Sequence, residues 1–71
     1  MLKEDERTNK LGENIRQMRQ AAGYDQRSLG KLIGVTGPAI CAWESGKRIP
    51  TLNNLLQLAQ VFSVTLDQIT Q

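Results

Sequence analysis

The run from Asp25 to Gly46, DQRSLGKLIGVTGPAICAWESG, constrains this chain more than any other segment. It reads as two short helices joined by a tight, glycine-centred turn. Leu29, Leu32 and Ile33 fall at i, i+3 and i+4, one apolar stripe of a 3.6-residue period. Gly34 then closes that helix, because a left-handed terminal residue costs glycine no steric clash. Val35 is apolar enough to anchor the turn in a core. Thr36 is placed to cap the next helix by accepting from its orphan N–H groups. Pro38 falls in that helix's first turn, where its missing donor does little harm. The second helix is expected to bury Ile40 and Trp43 and to leave Gly37, Pro38, Cys41, Ala42 and Ser45 facing outward. A helix with so small an outer face can approach another macromolecule closely.

The 71 residues suffice for one domain. A chain of this length buries only roughly 60% of its unfolded surface, so its core must be local. Apolar residues at 39% and charged residues at 23% fit a globular rather than a disordered chain. No apolar run approaches a membrane span. The opening MLKEDERTNK is charged and has no apolar stretch of the kind a secretory signal needs, so none is expected. A single cysteine, Cys41, cannot form an internal disulfide, and histidine is absent. The expectation is a reducing, cytoplasmic setting with no metal site and no cofactor.

Net charge is only +2, but its distribution is uneven. Arg16, Arg19, Arg27, Lys31, Lys47 and Arg48 stand against Asp25 and Glu44 within residues 16–48, while residues 51–71 carry Asp67 and no cation. Glu4, Asp5, Glu6 and Glu13 gather near the start. Positive charge thus surrounds the two-helix unit, as it does where phosphates dock. On charge alone, an ordinary solvated face fits as well.

Along the rest of the chain, residues 1–8 read as a polar, flexible arm and residues 9–71 as the domain. Leu11, Ile15, Met18 and Ala22 follow at helical spacing, with Thr8 or Asn9 as cap and Gly23 as terminator. Asp25 caps the second helix. The loop Gly46-Lys47-Arg48-Ile49-Pro50 is basic and bent, and Pro50 biases Ile49 toward an extended backbone. Thr51 caps a fourth helix whose Leu52, Leu55, Leu56, Ala59 and Phe62 predict a wide apolar stripe. Thr65 and Gln68 match a capping box for a short fifth helix, with Leu66 and Ile69 inward. No useful period-2 alternation occurs, so the fold class expected is all-α.

The ordered set LGENIRQMRQAAG, Gln26, LGKLIGVT, AICAWESGKRIP and TLNNLLQLAQVFSVTLDQI resembles the helix-turn-helix domain of phage repressors and Cro proteins, over about Leu11 to Ile69. The resemblance implies a compact five-helix bundle with helices two and three as the helix-turn-helix. Helix three would lie in the major groove of a double-stranded DNA operator, and a homodimer would read a two-fold site. It further implies base-facing positions at Gly37, Pro38, Cys41 and Ala42. Phosphate contacts would fall at Gln26, Ser45 and Lys47, with Arg48 extending the same loop. Arg27, near the start of helix two, is a further phosphate candidate. Arg19 and Glu44 match a structural ion pair tying helix one to the end of helix three. The setting implied is bacterial or phage-encoded and nucleoid-associated.

The chain departs from that pattern at its base-facing residues, none of which can form a bidentate hydrogen bond with a base edge. Two accounts compete: apolar contact of Pro38 and Ala42 with thymine methyl groups, and readout of DNA shape with phosphate spacing. Ser63 stands where relatives usually have glycine, so another cap is expected at the end of helix four. Leu66, Ile69 and the turn between helices four and five are the candidates for a dimer contact. Catalysis is not expected, since nucleophile–base pairs, metal-ligand clusters and glycine-rich phosphate loops are all missing. The function expected is a DNA-binding transcriptional regulator, most simply a repressor. The alternative is a helical protein-interaction module, antitoxin-like or adaptor, that keeps the fold without binding DNA.

Overall fold

Four helices open on a side chain that accepts from their own unpaired amides. The Ser28 N–H donates to Asp25 Oδ1 at 2.7 Å, that of Ala39 to Thr36 Oγ1 at 3.2 Å and that of Asn54 to Thr51 Oγ1 at 3.1 Å. Thr65 and Gln68 form the reciprocal capping box, with bonds of 3.1 and 2.8 Å. The computed structural model describes residues 4–71, with side chains from Lys10 onward. Its helices are α1 (Glu4–Ala21), α2 (Gln26–Ile33), α3 (Gly37–Glu44), α4 (Leu52–Phe62) and α5 (Leu66–Thr70). No strand occurs among the described residues, and no helix is long and apolar enough to cross a membrane.

α1 begins earlier than expected. Its helical backbone reaches back past Thr8 and Asn9 to Glu4, so neither is the cap. Of the arm expected at residues 1–8, residues 1–3 lie outside the described residues and the remainder is helical. At the other ends the terminators act as the sequence suggests for Gly34, whose φ is +77° and whose N–H reaches Gly30 O. Ser63 departs from expectation: it adopts the left-handed conformation itself, at φ +56°. Its N–H still meets the Ala59 and Gln60 carbonyls.

The core is drawn from all five helices. Ile15, Leu29, Ile40, Leu58 and Ile69 are fully buried, with Ile33 and Trp43 beside them. Met18, Tyr24, Val35 and Leu66 pack partly buried around that cluster. α1 passes so close to the end of α3 that a Cβ on Gly12 would lie 2.4 Å from Trp43 O and 2.6 Å from Glu44 O. Glycine is required there by distance, not by backbone angle.

Several expected inward positions are instead exposed. Leu32 is 55% exposed because α2 is rolled toward Gly30, whose missing side chain lets the helix approach the carbonyl of Val35. α4 buries Leu58 and Ala59 with Leu55 and Phe62 flanking, a stripe at i, i+3, i+4 and i+7 that the wider reading blurred. Leu52 and Leu56 consequently face out, at 63% and 50% exposure. Ala22 lies exposed in the turn after α1. Ile69 cannot serve a dimer contact, because its side chain is in the core. Its carbonyl accepts from Asn14 Nδ2 at 3.1 Å, which ties α5 to α1.

Candidate nucleic-acid interface

α3 is short and presents small residues. Pro38 and Cys41 are exposed, Gly37 and Ala42 half-buried, while Ile40 and Trp43 anchor the opposite side. The start of α3 lies against the start of α2: a Cβ on Gly37 would meet Arg27 Cα at 3.5 Å, ordinary contact. The base-facing candidates therefore share one face, next to the opening turn of α2.

Two shallow concavities run along that face. The first is lined by Gln26 and Arg27 from α2, by Gly37, Pro38, Cys41 and Ala42 from α3, and by Ser45 and Lys47 beyond it. Eight of the nine residues expected to meet DNA thus border one hollow. The ninth, Arg48, lies on the far side. It lines the second concavity together with Pro38, Ala42, Thr36, Thr51 and Asn54, among others. Pro38 and Ala42 belong to both hollows, so the outer ridge of α3 separates them.

The bend after α3 fixes this division. The carbonyl of Ala42 accepts from Lys47 N at 3.0 Å, Arg48 N at 3.2 Å and Ser45 Oγ at 3.2 Å. Consecutive basic residues are thereby folded back over the last turn of α3, Lys47 bordering one side and Arg48 the other. The Ser45 hydroxyl has one proton, and here it is committed to Ala42, so donation to a phosphate requires rotation.

Behind the first concavity stands a polar lock. Arg19 Nε donates to Glu44 Oε2 at 2.6 Å and Nη2 to Oε1 at 3.1 Å, a bidentate pair with side-chain exposures of 11% and 5%. Arg19 Nη1 also donates to Tyr24 O at 2.8 Å. The hydrogen bond that Arg19 donates to Glu44 raises the pKa of Arg19 above its ordinary value, against the opposing effect of burial. The pair thus joins α1, the turn after it and the end of α3.

Gln26 holds a place the sequence did not suggest. Its Nε2 donates to Glu44 Oε1 at 3.0 Å, which extends the lock to α2. Arg16 on α1 also lines a small hollow with Gln26, Cys41 and Ser45, on the same flank of α3. Thr36 and Thr51 are expected only as helix caps, and the sequence attaches no role to Asn54. Their position beside Arg48 depends on the packing of α4, which no local pattern states.

The arrangement suits a charged, groove-shaped ligand: a slim apolar ridge with cations on both sides, where phosphates flanking a groove would sit. The helix-turn-helix family matches residues 15–69 of this chain. Among curated relatives, the transcriptional activator BcrR of Enterococcus faecalis is 34% identical over 59 residues, 83% of this chain and 29% of its own length. The repressor protein C2 of Salmonella phage P22 is 37% identical over 60 residues, 84% of this chain and 28% of its own. The chain thus spans under a third of the length of these two proteins. The solved P22 c2 repressor in complex with a synthetic operator superposes with a TM-score of 0.81 at 34% identity, covering 86% of this chain and 92% of that one. Hydroxypropylphosphonic acid epoxidase of S. wedmorenis contains a similar unit, with a TM-score of 0.82 and 26% identity over 90% of this chain and 34% of the enzyme. The family match, the sequence identity and the superposition agree, and the chain belongs to the phage-repressor type of the helix-turn-helix family.

Proposed function

We propose that this chain is a sequence-specific, non-enzymatic DNA-binding transcriptional regulator that inserts α3 into the major groove of a two-fold operator. The observation that carries the reading is the split of the basic bend, with Lys47 on one side of the α3 ridge and Arg48 on the other. Cations so placed meet the phosphates on either side of the groove that the ridge enters. Gln26 and Arg27 add contacts on the Lys47 side, and Ser45 joins them once its hydroxyl turns. Repression is the simpler mode for a domain that occupies an operator, and P22 C2 carries that name; BcrR is named an activator. One such module makes few base contacts, so two copies on related half-sites supply the affinity.

Base readout falls to Gly37, Pro38, Cys41 and Ala42. Pro38 and Ala42 form the ridge and suit thymine methyl groups, while shape and deformability supply the rest. Selection of bound duplexes from random DNA tests this. The expected product is a two-fold sequence with half-sites about one helical turn apart, in which each substitution costs about 1–3 kcal/mol. A single G·C position whose replacement costs well above that range would contradict the apolar readout. A failure to shift any duplex at low salt would instead favour the protein-interaction module, to which the unpolar face of α3 is also suited.

A further inference from the structure

We infer that Glu44 is a positioning residue for DNA binding: it orients the Gln26 side chain so that nitrogen, and not oxygen, is offered to a backbone phosphate. The inference rests on the interface just proposed. A glutamine amide has two faces of opposite use, an acceptor oxygen and an NH2 with two donor hydrogens. A phosphate can only accept. A freely turning Gln26 therefore presents the wrong atom in part of its population.

The lock removes that freedom. Glu44 is nearly inaccessible and takes a bidentate bond from Arg19, and a carboxylate so engaged only accepts. The single bond joining the two side chains, Gln26 Nε2 to Glu44 Oε1 at 3.0 Å, therefore fixes which end of the amide turns inward. It uses one of the two Nε2 hydrogens and leaves the second. Gln26 also lines the concavity that holds Arg27 and Lys47, and the remaining N–H is the donor it has left for a phosphate on that flank.

A buried carboxylate beside DNA carries its own penalty, repulsion of the phosphates. The bidentate bond from Arg19 neutralises it locally, so Glu44 can orient the amide without adding net negative charge to the interface. Arg19 is thus part of the same device and more than a brace between α1 and α3.

Side-chain amide NMR of the whole chain, free and with a duplex selected from random DNA, tests the inference without altering the lock. In the free protein one Gln26 amide proton should be held in the Glu44 bond and exchange slowly. On adding DNA the other proton should shift while the first stays put. Movement of both would mean that the Glu44 bond opens on binding, which overturns the positioning role. Movement of neither, with binding intact, would show that Gln26 touches no phosphate. Loss of binding to every duplex overturns the interface itself.

A double-mutant cycle gives an independent readout. Gln26→Ala and Glu44→Gln should each weaken binding about tenfold, and the double variant no more than the weaker-binding single. Thermal melts establish that each variant is folded at the temperature used. A purely electrostatic role predicts the opposite sign for Glu44→Gln, since removing a negative charge near DNA tightens binding. Tighter binding, or losses that multiply in the double variant, contradicts the inference.

Discussion

Lys47 and Lys31 are both exposed cations, yet only Lys47 borders the α3 face. Lys31 lies in the last turn of α2, away from both concavities. Lys47→Ala should weaken binding to all sequences alike and flatten the plot of log affinity against log salt by about 0.9. Lys31→Ala should leave that slope unchanged, and equal effects at the two sites would contradict the assignment. Asp25 yields a prediction in acid. The Ser28 backbone N–H and hydroxyl hold its carboxyl below the ordinary value of 3.8. A depressed folded-state pKa stabilises above that value, and the contribution is lost as pH falls through the lower folded one. The stability gap between wild type and Asp25→Asn should therefore move against the wild type in that acid window. A gap constant with pH would show that Asp25 titrates alike folded and unfolded. Residue roles of this local kind were readable in advance: Asp25, Thr36, Thr51 and Thr65 all cap as their spacing suggests. The Gln26–Glu44 bond was not, because it joins side chains 18 residues apart through the packing of α2 on α3.

At the scale of the helices, spacing predicted where each one lies better than how far it is rolled. Leu32, Leu52 and Leu56 satisfy a helical period, but a period alone does not say which of several apolar neighbours turns inward. Gly30 decided the matter for α2, and Leu58 for α4. The early start of α1 has the same origin, since residues expected to be an arm contain no breaker before Gly12. Gly12 itself sets the distance between α1 and the end of α3. Gly12→Ala places a methyl group against two backbone carbonyls that no rotamer can move. It should destabilise the fold by about 1–3 kcal/mol, as overpacking does, and a thermal melt measures it. An unchanged melting temperature would mean that the two helices separate easily. In that case the Arg19–Glu44 pair would be the main tie between them.

At the scale of the whole molecule, five helices serve to hold one of them outward. α2 and α1 pack against α3, whose Ile40 and Trp43 join the common core, and the bend over Ala42 folds Lys47 and Arg48 back onto the last turn of α3. A similar unit makes up about a third of an epoxidase, so the fold is a scaffold that does not by itself state a function. Among relatives under a third of whose length this chain spans, the domain is one part of a larger protein. In the proposed complex, cations astride α3 bind phosphates on both sides of the groove that it enters. Equilibrium binding to one selected duplex, measured across a salt series, addresses it most directly. Arg27, Lys47 and Arg48 predict a slope of log affinity against log salt of about −2 to −3 per bound copy. A slope near zero, or no binding at the lowest salt, would contradict the account.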